Sequence, residues 1–116
     1  MRDHTKLRAF ELADQLALAI YKLTMTMPPD ERFGMTSQMR RAAVSVPSNI
    51  VEGCARDSQA EYLRYLYIAF GSAKELGYQL SLAERLHFLD SDAAQPVHDL
   101  CNETCRVLNG LIRSLS

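Results

Sequence analysis

The feature that most constrains the fold is an apolar repeat with steps of three and four residues, which covers most of the chain. In the first segment the repeat runs through Phe10, Ala13, Leu16, Ile20 and Leu23. This period places apolar side chains on one face of an α-helix, and no alternating strand pattern competes with it. Short breaker clusters divide the repeat into four segments. The sequence therefore predicts an all-α protein with helices over about residues 6–26, 36–53, 58–87 and 92–115.

Chain length and loop length decide how these helices are arranged. A chain of 116 residues is one ordinary domain, so we assign residues 1–116 to a single four-helix-bundle domain. Helices joined by short loops favour an antiparallel up-and-down bundle. Cap patterns support the helix starts: Thr36 or Ser37 for the second helix, Ser58 with Glu61 for the third, and Asp90 or Asp92 for the fourth.

Pro47 lies inside the second predicted helix. A proline there removes one backbone donor and clashes with the preceding turn. We expect a kink near residues 43–47. A break into two shorter helices is the alternative.

The third segment has more apolar surface than one core face needs, because Tyr65, Ile68, Leu82 and Leu86 lie partly off its main stripe. A monomer rarely exposes so large a patch. The sequence therefore predicts a homo-oligomer.

Charge limits the partners of this chain. Lys and Arg number 13 against 14 Asp and Glu, giving a net charge of −1, so any nucleic-acid contact has to be local. The candidate cations are Arg2, Lys6 and Arg8 near the N-terminus and Arg40, Arg41, Arg56 and Arg64 in the second and third segments. There is no signal-peptide pattern and no membrane-length apolar run, so we expect a cytoplasmic protein with no membrane partner.

Three groups of residues are candidates for sites of chemistry. Glu84-x-x-His87 has di-iron spacing but lacks the second such pair that this site needs. His98, Cys101 and Cys105, with Cys54 as a possible fourth ligand, suggest zinc, although helical cysteines at this spacing more often pack in a core. Ser45, Ser48 and Ser72 have no identifiable histidine and acid partners. We therefore predict no catalytic residue, no metal site and no cofactor.

Polar residues form a second face on the second segment, opposite its apolar face: Gln38, Arg41, Ser45, Ser48, Asn49, Glu52 and Arg56. A solvated face is the simple interpretation. Serine and asparagine are poor helix formers, however, and beside Pro47 they favour a hydrogen-bonded structural network. Gly71, Ser72 and Glu75 on the third segment fit a close crossing or an inter-helix bond to Arg40 or Arg41.

The runs at residues 36–53 and 68–76, with Arg56 and Glu61, closely resemble the four-helix-bundle proteins encoded in intervening sequences of bacterial large-subunit ribosomal RNA genes. The resemblance covers about residues 7–89. Relatives include the accessory variability protein of diversity-generating retroelements. Signature positions, interpreted mainly as scaffold and subunit contacts, are Gln38, Arg40, Arg41, Ser45, Pro47, Asn49, Glu52, Gly53, Gly71, Ser72 and Glu75.

The resemblance implies an up-and-down bundle that forms a ring-like homopentamer without enzymatic activity. For the retroelement relatives it implies that a basic surface binds nucleic acid and the reverse transcriptase. The net charge of −1 and the acid-rich fourth segment depart from that basic pattern. Two hypotheses follow: an oligomeric adaptor that binds RNA, DNA or a reverse transcriptase, or a structural, protein-interaction oligomer that binds no nucleic acid.

Overall fold

The computed structural model describes residues 2–116. Four long helices account for most of them: α1 (Arg8–Thr24), α2 (Met35–Cys54), α3 (Gln59–Arg85) and α4 (Ser91–Leu115). Short 3-10 turns at His4–Lys6 and Pro29–Glu31 precede α1 and α2. The described residues contain no strand, so the all-α prediction is confirmed. Within the same range, no helix combines the length and apolar character needed to cross a membrane.

The four helices pack side by side so that each helix contacts two neighbours. α1 contacts α2 and α4, and α3 contacts the same two helices. Two groups of buried side chains fill the interior. One group combines the second halves of α1 and α3 with the first halves of α2 and α4, and the other combines the remaining halves. The core therefore runs through the full length of a molecule that measures 43 × 24 × 19 Å.

Local side-chain bonds fix the helix starts. Ser58 accepts the amide of Glu61 at 3.1 Å, and Asp90 accepts the amide of Ala93 at 3.0 Å, which confirms these two caps. The prediction for α2 is wrong, because Thr36 and Ser37 already lie inside the helix. The carboxylate of Glu31 instead accepts the amide of Met35 at 3.1 Å.

Pro47 lies within one continuous helix, so the alternative of two shorter helices is wrong. The residue before it, Val46, and Ile50 beyond it are both fully buried. Because apolar packing supplies most of the stability of a helix in a protein, these two anchors hold α2 together across the proline.

Backbone hydrogen bonds and one residue in the left-handed conformation end α3. His87 has φ 61°, the only positive φ among the described non-glycine residues. The amide of Phe88 bonds the carbonyl of Ala83 at 2.8 Å, and the amide of His87 bonds the carbonyl of Glu84 at 2.9 Å. This pair of bonds is a Schellman motif, which satisfies carbonyls at a helix end.

Candidate functional site

Small polar side chains form hydrogen bonds along the contact between α2 and α3, which we call the seam. The Oγ atoms of Ser45 and Ser72 lie 2.8 Å apart. The side-chain nitrogen of Asn49, Nδ2, donates to Ser45 Oγ at 2.9 Å and to the Ser45 carbonyl at 2.8 Å. These hydroxyls bond each other and an amide, so the structural network that the sequence favoured is present here.

A polar cleft of about 370 Å³ opens above the two serines, between α2 and α3. It is lined by Gln38, Arg41, Ala42, Ser45, Ser72 and Glu75. Arg41 and Glu75 are exposed and place opposite charges on the two helices. Behind them Gln79 is 5% exposed, donates to Glu75 at 3.4 Å, and has an Oε1 atom with no partner among the described residues.

Two glycines of the same helix pair have opposite surroundings. A Cβ atom on Gly53 would lie 2.9 Å from Tyr65 Cβ and 3.3 Å from the Tyr62 carbonyl oxygen. A Cβ atom on Gly71 would meet nothing within 4 Å. The close approach of α2 and α3 therefore requires Gly53, whereas this packing does not explain Gly71.

Arginines and tyrosines cluster where α2 connects to α3. Arg56 donates to Glu52 at 2.7 Å and to the Tyr65 hydroxyl at 3.1 Å. Arg64 covers the same Tyr65 ring, 4.5 Å from its centroid. Arg2 lies 4.0 Å from the centroid of Tyr62 and donates to the Arg56 carbonyl at 3.2 Å. Three candidate cations thus meet in one place, which we call the arginine–tyrosine cluster (Arg2, Arg56, Tyr62, Arg64, Tyr65).

Carboxylates neutralise part of this cluster. Glu61 accepts two bonds from Arg64, both at 3.1 Å. This hydrogen bonding lowers the pKa of Glu61 below its ordinary value and raises the pKa of Arg64. Glu52 accepts one bond from Arg56, so two carboxylates offset two of the three arginines, and the cluster presents little net positive charge to a phosphate.

Of the remaining candidate cations, two have side-chain partners and two are exposed to solvent. Arg40 is half-buried, donates to Thr24 at 2.9 Å and lies 4.7 Å from the centroid of Tyr21. Arg8 pairs with Glu103 at 3.3 Å. Lys6 and Arg41 are exposed, and the described residues give neither side chain an ion pair or hydrogen bond.

The residues predicted as possible metal ligands have other contacts or unsuitable geometry in the structure. α3 ends at Arg85, and His87 has left-handed backbone geometry, so Glu84 and His87 do not share a helix face as the di-iron spacing required. His98 Nε2 contacts Glu84 Oε1 across α3 and α4. Within residues 2–116 no group of three or more potential ligands could hold a metal ion.

The outer sides of α2 and α3 also carry exposed apolar residues. On α3, Tyr67 is 57%, Ile68 40% and Tyr78 61% exposed, and Leu86, directly after its last residue, is 48% exposed. Val44 and Val51 on α2 are exposed as well. The surplus apolar surface predicted for α3 is therefore present, although Tyr65 and Leu82 are half-buried rather than fully exposed.

Sequence reasoning missed two polar participants. Tyr65, counted only as surplus apolar surface, bonds Arg56 and lies under Arg64, a contact between helices that no local spacing indicates. Gln79 is a buried amide on α3, and its position one turn after Glu75 was the available signal.

The fold and this seam define a class of protein: an all-α, four-helix protein whose polar signature residues lie between and on two neighbouring helices. The chain belongs to the 23S rRNA-intervening sequence protein family, whose model matches residues 5–110. A crystal structure of a protein of unknown function from the S23 ribosomal protein family of Bacteroides thetaiotaomicron has the same fold. It is 24% identical, has a TM-score of 0.83, and aligns over 90% of this chain and 95% of that one. No curated protein matches the chain.

Proposed function

We propose that this protein is a non-enzymatic homo-oligomer whose subunits meet through the outer face of α2 and α3. The observation that carries the proposal is the exposed apolar surface of α3, above all Tyr67 and Ile68. Solvent exposure of several large apolar side chains on one helix costs free energy that contact with another subunit recovers.

Charges on the same face support this contact. Arg41 and Glu75 lie at opposite walls of the polar cleft and are both exposed. In a ring each contact between subunits is head-to-tail, so a positive group of one subunit can meet a negative group of the next. Gly71, which meets nothing within 4 Å, leaves room for a neighbouring helix to approach closely.

The finer architecture is part of the same proposal. The division of the core into alternating helix halves supports antiparallel, up-and-down connections. Pro47 inside α2 supports a kink near residues 43–47. The family resemblance implies a ring of five subunits and a cytoplasmic location, and both belong to the proposal.

The test is light-scattering mass on a sizing column for the wild type, Ile68→Glu and a matched control, Leu18→Glu. Leu18 is 59% exposed on α1, so Leu18→Glu also replaces an exposed apolar side chain with a charged one, but outside the proposed contact. We expect five copies of the 13.1 kDa chain, about 65 kDa, for the wild type and the control. Ile68→Glu should give a smaller, folded species. A wild-type monomer, or equal masses for both variants, contradicts the proposal.

A second function, that of a nucleic-acid-binding adaptor or reverse-transcriptase accessory protein, is favoured by the arginine–tyrosine cluster. Arginine next to aromatic rings is typical of proteins that bind single-stranded nucleic acid. In this cluster Tyr62 is buried and Tyr65 is half-buried, which leaves little ring surface for bases to stack on. The ion pairs to Glu52 and Glu61 oppose this function, because phosphates would have to displace them. We therefore rank it below assembly.

Fluorescence anisotropy with a labelled single-stranded RNA at low salt separates these two functions. An adaptor that uses the cluster should bind, lose affinity in Arg64→Glu, and weaken steeply with added salt. Arg113→Glu, an exposed site at the end of α4, is the charge-matched control. Absence of binding, or equal loss in both variants, excludes the cluster as the nucleic-acid site and leaves the assembly proposal untouched.

A further inference from the structure

The proposed function does not use a groove of about 320 Å³ between the end of α1 and the start of α2. Half of its lining is apolar and comes from one short segment, namely Met25, Met27, Pro28 and Pro29. Met27 is buried, whereas Met25 is 77% exposed directly after α1. A volume of this size is at the lower end of the range for small-molecule sites. The groove therefore has room for a small ligand with an apolar part.

Thr36 gives the groove a polar group without a partner. It lies in the first turn of α2, lines the groove and is only 7% exposed. The nearby Thr24 hydroxyl donates to the Ile20 carbonyl at 2.6 Å and accepts a bond from Arg40. The Thr36 hydroxyl, in contrast, forms no hydrogen bond with any described residue, although polar groups this deeply buried are normally bonded. It is therefore available to donate to a ligand.

Two arginines that line the groove, Arg32 and Arg40, have no ion pair among the described residues. Arg40 Nε donates to Thr24 at 2.9 Å, and its Nη2 donates to the Tyr21 carbonyl at 3.4 Å. Its Nη1 makes no hydrogen bond in the described part of the chain. Arg32 is exposed. A guanidinium held in this way can bind a carboxylate with little further loss of side-chain freedom.

Negative charges near the groove are few. None of its lining residues, all of them described, is acidic. The preceding 3-10 turn contains Asp30 and Glu31, but the Glu31 carboxylate accepts the amide of Met35. The groove also lies beside the first turn of α2, where the backbone dipole favours an anion. The charges therefore favour an anionic ligand, and the apolar half of the lining favours one with an apolar chain.

We propose that this groove binds a small amphipathic carboxylate, in which an unbranched apolar chain ends in a carboxylate group. The carboxylate accepts bonds from Arg40 and from the Thr36 hydroxyl, and Arg32 adds attraction from the rim. The chain lies along Met25, Met27 and the two prolines, which removes apolar surface from water. A phosphate alone would leave the apolar half of the lining in water, and an uncharged chain would leave Arg40 without a counter-ion.

The test is a titration of the full chain with octanoate, followed by NMR of isotope-labelled methionine methyl groups. Met25 and Met27 report from the groove, and Met39, fully buried in the core, is the internal reference. Octanol keeps the chain without the charge, and butanoate keeps the charge with a shorter chain. We expect saturable shifts of both groove methyl groups with octanoate, and about tenfold weaker binding of each comparison compound. No shift with octanoate, equal affinity for octanol, or an equal response to inorganic phosphate overturns the proposal.

Variants assign the binding to single groups. Arg40→Gln should weaken octanoate binding about tenfold, because a hydrogen bond between two charged groups is lost. Arg113→Gln, at an exposed position near the end of α4, is the matched control. Thr36→Val should weaken binding about fivefold, whereas Thr36→Ser keeps the hydroxyl and should bind almost as the wild type does. Unchanged affinity in both Arg40→Gln and Thr36→Val contradicts the site.

A further variant covers a failure to fold. Arg32 is exposed, so Arg32→Gln keeps the test available if Arg40→Gln does not fold, and we expect about a twofold loss of affinity. Affinity as high as in Arg113→Gln would show that Arg32 does not contribute. All these measurements follow the groove of a single subunit, so their outcome is independent of the mass of the assembly.

Discussion

Gly53 and Gly71 belong to two different regions of one helix pair. Around Gly53, α2 and α3 approach so closely that an added Cβ atom would lie 2.9 Å from Tyr65 Cβ. Around Gly71, the outer face of α3 is open to solvent. The seam is therefore explained by packing within one chain, whereas the outer face is not. If the assembly proposal is right, signature positions that packing within the chain leaves unexplained, such as Gly71, are the ones that depend on a partner.

Other signature residues divide along the same boundary. Ser45, Asn49 and Ser72 bond one another at the seam, so their polar character is used within the chain. Arg41 is exposed on the outer face and has no ion pair among the described residues. Substitutions on the two sides of this boundary should consequently affect different measurements, either the stability of the chain or its association.

The largest effect is expected at the seam itself. Gly53→Ala should destabilise the chain by about 1–3 kcal/mol, because the new methyl group meets a Cβ atom and a backbone carbonyl that have little freedom to move. Urea unfolding measures this free energy. Gly110→Ala in α4, where a Cβ atom would meet nothing within 4 Å, is the control. A Gly53→Ala variant as stable as that control would show that the two helices can move apart at no cost.

The serine pair should have an intermediate effect. Ser45→Ala removes partners of both Ser72 and Asn49, and we expect a loss of about 1 kcal/mol from the free energy of unfolding. The double variant with Ser72→Ala should lose less than the sum of the two single losses, because the hydroxyls share one bond. Strictly additive losses in urea unfolding would show that the hydroxyl pair contributes no interaction of its own.

The smallest change in chain stability, with the opposite sign, is expected on the outer face. Gly71→Ala should stabilise an isolated chain by about 0.5–1 kcal/mol, because alanine is a better helix former than glycine. If α2 and α3 meet another subunit here, the same methyl group should weaken association. Light scattering over a dilution series measures this effect. Association as strong as in Gly110→Ala would place the subunit contact elsewhere.

The parts of the fold that depend on local sequence could be predicted. The four helices follow from the period of three and four residues, and the caps at Ser58 and Asp90 join residues three apart. The start of α2 could not be predicted in this way, because its cap comes from Glu31 in the preceding 3-10 turn. That contact depends on the path of a short loop through Pro28 and Pro29, which periodicity does not describe.

The candidate site was predicted less completely, because its bonds join distant residues. The sequence indicated the polar face of α2 and a network with α3, and the Ser45–Ser72 contact has this character. The pairs Arg56–Glu52 and Arg64–Glu61 join residues four and three apart and could be predicted from spacing. The partner of Arg8 could not, since Glu103 lies 95 residues away. The helical extension that paired Glu84 with His87 was wrong, because periodicity does not reveal a left-handed backbone conformation.

The left-handed conformation of His87 has an evolutionary consequence. An L-amino acid with a side chain is strained there by roughly 1 kcal/mol relative to glycine, yet the Schellman motif still forms. Replacement of His87 by glycine should therefore stabilise the chain without altering the core. Descendants that acquire glycine at this position could tolerate a costly change elsewhere, such as a bulkier residue at the seam.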